Sequence, residues 1–206
     1  MTDAFALLGE ARHPWIDADA LKDRFHTLSG PSHPDRFHEA PEAERTAVGH
    51  RYADLNSAYQ TLKEPRDRLL HLLELELGEK PKDIQRIPPG TMDLFVEVGQ
   101  TCRDCDEFLK KKAAATSPML RLQVMQAGME WMDRLLDLQG RIRSVSDTLG
   151  SELSGLNVVW DAAPPVGDAG RPTALPLERL EQIYRALSYV ARWTSQLQER
   201  VVQLAV

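Results

Sequence analysis

Leu28-Ser29-Gly30-Pro31-Ser32-His33-Pro34-Asp35-Arg36-Phe37 is a polar turn punctuated by proline, and the segments on either side of it decide the fold. Upstream, Leu21, Phe25 and Leu28 recur at i, i+4 and i+7, which lines apolar side chains along one helical face. Asp19 is placed to cap that helix. Downstream, Val48, Tyr52, Leu55, Ala58, Tyr59 and Leu62 keep the same period until Lys63-Glu64-Pro65 ends the run. Two helices of opposite direction therefore flank the turn. Pro34 fixes φ, so His33 and Asp35 are expected to face solvent in a preset geometry. Phe5 and Leu8 predict a short first helix, and Leu69, Leu72 and Leu73 a fourth that starts near Pro65.

The net charge is −6 and no basic stripe runs along the chain, which argues against a nucleic-acid partner. No apolar run reaches the roughly 18 residues of a membrane span, and Met1-Thr2-Asp3 does not open a signal peptide, so a cytoplasmic protein is expected. The two cysteines do not make a disulfide framework.

From Gly78 to Gly90 three prolines and two glycines mark a linker. Three long helical patterns come after it. The first, from about Met92 to Lys112, spaces Phe95, Val98, Cys102, Cys105 and Leu109 as a buried seam. The second, from Pro118 to Leu153, carries Leu122, Met125, Met129, Met132 and Leu136, then a shifted stripe of Leu138, Ile142, Val145 and Leu149. In the third, Leu180, Ile183, Leu187, Val190, Thr194, Leu197, Val201 and Leu204 hold a heptad seam. An antiparallel three-helix bundle would bury all of these stripes. Gly155 to Pro176, with four prolines and three glycines, is expected to be a long loop pinned by Trp160. The fold class is therefore all-α: a helical hairpin module over residues 1–76, a linker over 77–90 and a bundle over 91–206 that holds the 155–176 loop.

Residues 3 to about 76 resemble a J domain of the DnaJ family. The likeness rests on Phe5-Ala6-Leu7-Leu8-Gly9, on Leu21, Phe25 and Leu28 before His33-Pro34-Asp35-Arg36-Phe37, then on Leu55-Asn56-Ser57-Ala58-Tyr59-Gln60-Thr61-Leu62 and Pro65. A J domain followed directly by a helical bundle is similar to the HscB branch, which serves iron-sulfur cluster assembly. Trp160-Asp161-Ala162-Ala163 before the last helix adds to that likeness. The extended connection from Ala163 to Leu177 departs from it, as does Gly30-Pro31, which should end the second helix early.

The resemblance implies a partner, a DnaK-type ATPase whose hydrolysis the protein stimulates. Asp35 would offer a carboxylate to a basic group on that ATPase, with His33 and Pro34 shaping the turn and Lys22, Arg24 and Arg36 steering encounter. It also implies a client, an iron-sulfur scaffold protein held on the first bundle helix. Met92, Val96, Glu97 and Gln100 lie off that helix's seam and are the residues assigned to the contact.

Other chemistry finds little purchase. Cys102-Arg103-Asp104-Cys105 is half of a zinc site at most, and both cysteines lie on the apolar seam, where they read as core residues. Met119, Met125, Met129 and Met132 read as core packing, and His13, His26, His38, His50 and His71 as surface or loop residues. No nucleophile with a base, phosphate loop or carboxylate cluster is present, so no catalytic residue, metal or cofactor is expected. Two alternatives stay open: a J-domain protein for another client, and a helical interaction module or thiol sensor whose J domain is degenerate.

Overall fold

The computed structural model describes residues 2–81 and 90–205. Every regular element among them is helical: α1 (Ala4–Leu8), α2 (Ala18–Ser29), α3 (Glu42–Lys63), α4 (Pro65–Leu77), α5 (Met92–Ala114), α6 (Pro118–Ala162), α7 (Arg171–Ala174) and α8 (Leu177–Ala205). Most of the linker expected between the two halves, residues 82–89, lies outside the described residues. The chain divides into two compact units, Met1–Asp83 with Gly150–Tyr184, and Ile84–Leu149 with Arg185–Val206.

In the first unit local chemistry sets the helix ends. Asp3 caps α1 by accepting the Phe5 and Ala6 N–H groups, and Gly9 closes it with a left-handed φ of 65°. The N-cap of α2 is Asp17, which accepts the Ala20 N–H at 2.8 Å, and not Asp19. Asp19 falls in the first turn, where a negative charge still suits the helix dipole. Phe25 of α2 stacks on Tyr59 of α3 with ring centroids 4.6 Å apart, and His33, just past α2, meets Tyr52 earlier in α3, so the two arms lie antiparallel. Phe5, Leu8, Leu21, Leu62, Leu69 and Leu72 are fully buried beneath them.

Two groups in this unit are not legible from periodicity. His71, expected at the surface, is buried. Its Nε2 accepts the Ala4 N–H at 3.0 Å and its ring stacks on Phe5. Arg68 is also buried, donating to the Leu62 carbonyl at 2.7 Å and the Pro14 carbonyl at 3.0 Å. Burial brings its pKa down to about 10, so it stays charged at neutral pH.

The composition from Gly155 onward predicts a loop, but α6 continues through it to Ala162. Leu153 and Trp160, seven residues apart, are both buried and extend one apolar face, and no proline interrupts the helix before Pro164. Trp160 thus lies on the helix and not in a loop. Residues 13–15 run along this end of α6: Asn157 exchanges two hydrogen bonds with the Trp15 backbone, and His13 meets Asp161 at 2.9 Å. Beyond it, the α7 residue Arg171 donates to both Glu76 carboxylate oxygens at 2.8 and 2.9 Å and to the Pro164 carbonyl at 2.7 Å. Both members of the ion pair are buried.

In the second unit α5 and α6 run antiparallel, as the Glu97–Arg141 pair and the Phe108–Trp131 contact fix their register. Phe95 of α5 meets Tyr189 of α8, and farther along both helices Arg200 reaches Asp106 and the Cys102 carbonyl, so α8 runs parallel to α5. Val98, Cys105, Leu135, Ile142, Trp193 and Leu197 lie in the core between the three helices. Three parts of the predicted seams fall elsewhere. Thr194 is exposed because Trp193, with far more apolar surface to bury, takes the seam position. Phe95 is half-exposed at the helix margin. The stripe of Leu122, Met125, Met129 and Leu136 faces solvent, because Leu135, Leu138 and Ile142 on another side of α6 already fill the core. Met119 is exposed too, and only Met132 of the four methionines packs partly against the core.

Candidate functional site

The tip between α2 and α3 is two short 3-10 turns, Gly30–Ser32 and Pro34–Phe37, separated by His33 in extended conformation. Gly30-Pro31 ends α2 at Ser29, as the missing donor of Pro31 requires. His33 organises the second of these turns. Its ring sits edge-on to Tyr52 of α3 at 5.2 Å, and its Nδ1 accepts the Asp35 N–H at 3.4 Å. His38 Nδ1 donates to the Asp35 carbonyl at 3.0 Å, so the Asp35 backbone is held on both sides. The Asp35 side chain itself is 88% exposed, with His33 Nδ1 3.6 Å away. A carboxylate on a fixed backbone, free of a strong internal partner, is suited to receive a charge-assisted hydrogen bond from another molecule.

The three cations assigned to the same face are less free than the sequence suggests. Arg24 is paired with Glu10 at 2.7 Å. Arg36 donates to the Gly30 carbonyl at 3.3 Å, tying one 3-10 turn to the other. Lys22 is exposed and makes no ion pair among the described residues.

On α5, Met92 and Val96 are exposed, at 53% and 58%, and Phe95 stands beside them, edge-on to Tyr189 at 6.3 Å. Glu97 is engaged by Arg141 at 2.7 Å, and Gln100 bridges Asp104 and Arg103 at 2.6 and 2.7 Å. The assigned residues therefore share an outer face, to which the structure adds Phe95 and Arg141. Five apolar residues among the seven from Met92 to Val98 carry a usable signal for Phe95, since one neighbouring helix covers only part of so wide an arc. Arg141 comes from another helix and has none.

Cys102 and Cys105 are buried, and burial pushes both thiols above their ordinary pKa. They stay protonated at neutral pH and pack as small apolar groups. Among the described residues no group of three or more His, Cys, Asp or Glu side chains is placed to hold a metal ion. Nor is any described helix long and apolar enough to cross a membrane.

No family model matches the sequence. Among solved structures, the chain is similar to the chaperone HscB from Vibrio cholerae, with 21% identity and a TM-score of 0.54 over 98% of this chain and 99% of that one. It is also similar to the human co-chaperone protein HscB, with 19% identity and a TM-score of 0.56 over 98% of this chain and 81% of that one. A hairpin tip bearing His33-Pro34-Asp35, followed by a bundle built on α5, α6 and α8, gives this chain the HscB-like fold.

Proposed function

We propose that the protein is a co-chaperone that presents its hairpin tip to a DnaK-type ATPase and brings it an iron-sulfur scaffold protein held on α5. The observation that carries the first part is the Asp35 carboxylate, exposed on a backbone that His33 and His38 hold in place. His33, Pro34 and Arg36 are positioning residues in this reading, Arg36 through its bond to Gly30. Lys22 and Arg24 contribute attraction on approach, which added salt should weaken.

Purified protein is expected to stimulate ATP hydrolysis by a DnaK-type chaperone. Asp35→Asn and His33→Gln should abolish that stimulation while leaving the helical circular-dichroism spectrum unchanged. A folded Asp35→Asn variant that stimulates fully would refute the assignment.

Client capture is assigned to Met92, Val96, Glu97 and Gln100, with Phe95 between the two apolar ones. Met92→Ser with Val96→Ser should weaken pull-down of a cluster scaffold by about tenfold, the loss expected when apolar contact at an interface is truncated. Retention of ATPase stimulation without scaffold binding would indicate a J-domain protein with a different client. A thiol-sensor role draws no support from cysteines that are buried and protonated.

A further inference from the structure

α6 carries a second apolar stripe of which the bundle uses only Met132. Leu122, Met125, Met129, Met132 and Leu136 repeat at 3-4-3-4, the spacing of a helix-pairing seam. Four of the five are at least half-exposed, Met125 at 61% and Met129 at 66%. At about 100° per residue the five occupy an arc of about 80°, and Arg143 closes the seam one heptad beyond Leu136.

The two edges of this stripe differ in charge. One edge approaches α8 through the Gln139–Gln198 hydrogen bond. Along the other lie Glu130, Asp133 and Asp137, within the next arc of about 60°. All three are exposed, and none makes a hydrogen bond or ion pair among the described residues. Three of the helix's four arginines are engaged elsewhere: Arg134 lies over the Trp131 ring at 5.1 Å, Arg141 pairs with Glu97, and Arg121 donates to the Ala115 carbonyl, while Arg143 stands at the far end of the stripe, beyond the acidic residues. The result is a methionine-rich stripe with an acidic rim, of which Asp137 alone also feels the Arg141 charge.

From this geometry we infer that α6 docks a basic amphipathic helix. Its apolar face seats on Met125, Met129 and their neighbours, and its cations meet Glu130, Asp133 and Asp137. Unbranched methionine side chains adapt to differently shaped apolar faces, and the carboxylates supply charge complementarity and orientation. A second copy of the chain fits less well, because antiparallel pairing of two such stripes sets like-charged edges side by side. An anionic surface is repelled by the same rim. The inference does not depend on the scaffold site, which uses α5.

The test is fluorescence anisotropy with the full chain and three labelled peptides of about three heptads each. One is an idealised Leu/Lys amphipathic helix, the second its Leu/Glu counterpart, and the third a shuffled Leu/Lys sequence without an apolar face. Saturable binding of the first peptide alone is expected. Met125→Gln combined with Met129→Gln, which keeps the net charge, should weaken it by about tenfold or more. Asp133→Asn combined with Asp137→Asn should weaken it less and flatten its salt dependence. Circular dichroism verifies that both variants keep their helix content. Equal binding of the shuffled or the Leu/Glu peptide would overturn the proposal, as would unchanged affinity in the folded methionine variant. Sedimentation of the full chain as a dimer that the methionine substitutions dissociate would assign the face to a second copy and overturn it too.

Discussion

His71 shows how much one buried side chain can decide. As an acceptor from the Ala4 N–H its Nε2 must be unprotonated, and burial favours the same neutral form, holding its pKa below the ordinary 6.5. The nearby Asp3 charge opposes that shift without reversing it. Because the folded pKa lies below the unfolded one, the stabilisation is fully present above pH 6.5 and is lost as pH falls through it toward the folded value. Urea melts at pH 7.5 and pH 5.5 are expected to show a drop in stability that His71→Gln, which keeps an acceptor but does not titrate, makes smaller. An equal drop in the variant would assign the effect to other groups. Nothing in the sequence marks this histidine, since its partner lies 67 residues earlier and periodicity reports only the face of its own helix.

For the helices, apolar period and breakers explain both what is readable and what is not. The hairpin arms, α4 and the core seam of α5 are legible because Leu, Phe and Tyr recur at helical spacing and Pro65 marks a sharp start. Gly155 misleads, as a lone glycine weakens a helical pattern without ending it. It is exposed within α6, and a Cβ there would meet no atom within 4 Å. Gly155→Ala should therefore stabilise the protein by about 0.5–1 kcal/mol, measured by chemical denaturation. A neutral or negative effect would indicate that this stretch is not helical in solution. The stripe on α6 is misassigned by spacing for a different reason: the helix bears two apolar faces, and their period alone does not say which one its neighbours cover.

For the whole molecule, the hairpin tip is the most legible part of the candidate site, because its geometry comes from residues adjacent in sequence: His33, Asp35 and His38 bond one another within five positions. The first compact unit is the least legible, because it joins Met1–Asp83 to Gly150–Tyr184 and no local pattern reports such a union. Arg171 and Glu76 carry that union as a buried pair. Arg171→Met should destabilise the protein by up to about 3–5 kcal/mol, since it leaves the buried Glu76 carboxylate with Arg12, at 3.8 Å, as its remaining cation. Adding Glu76→Met should recover much of that loss; a double variant no more stable than the single one would show that packing at the site matters more than charge.

The same ion pair sets an order of events during synthesis. Arg171 leaves the ribosome 95 residues after Glu76. At about 5–20 residues per second that delay is roughly 5–20 s, during which Arg12, 3.8 Å from Glu76 in the finished protein, is the only other cation paired with this carboxylate among the described residues. The N-terminal helices thus wait for chain made some 95 residues later before this buried pair can close over them.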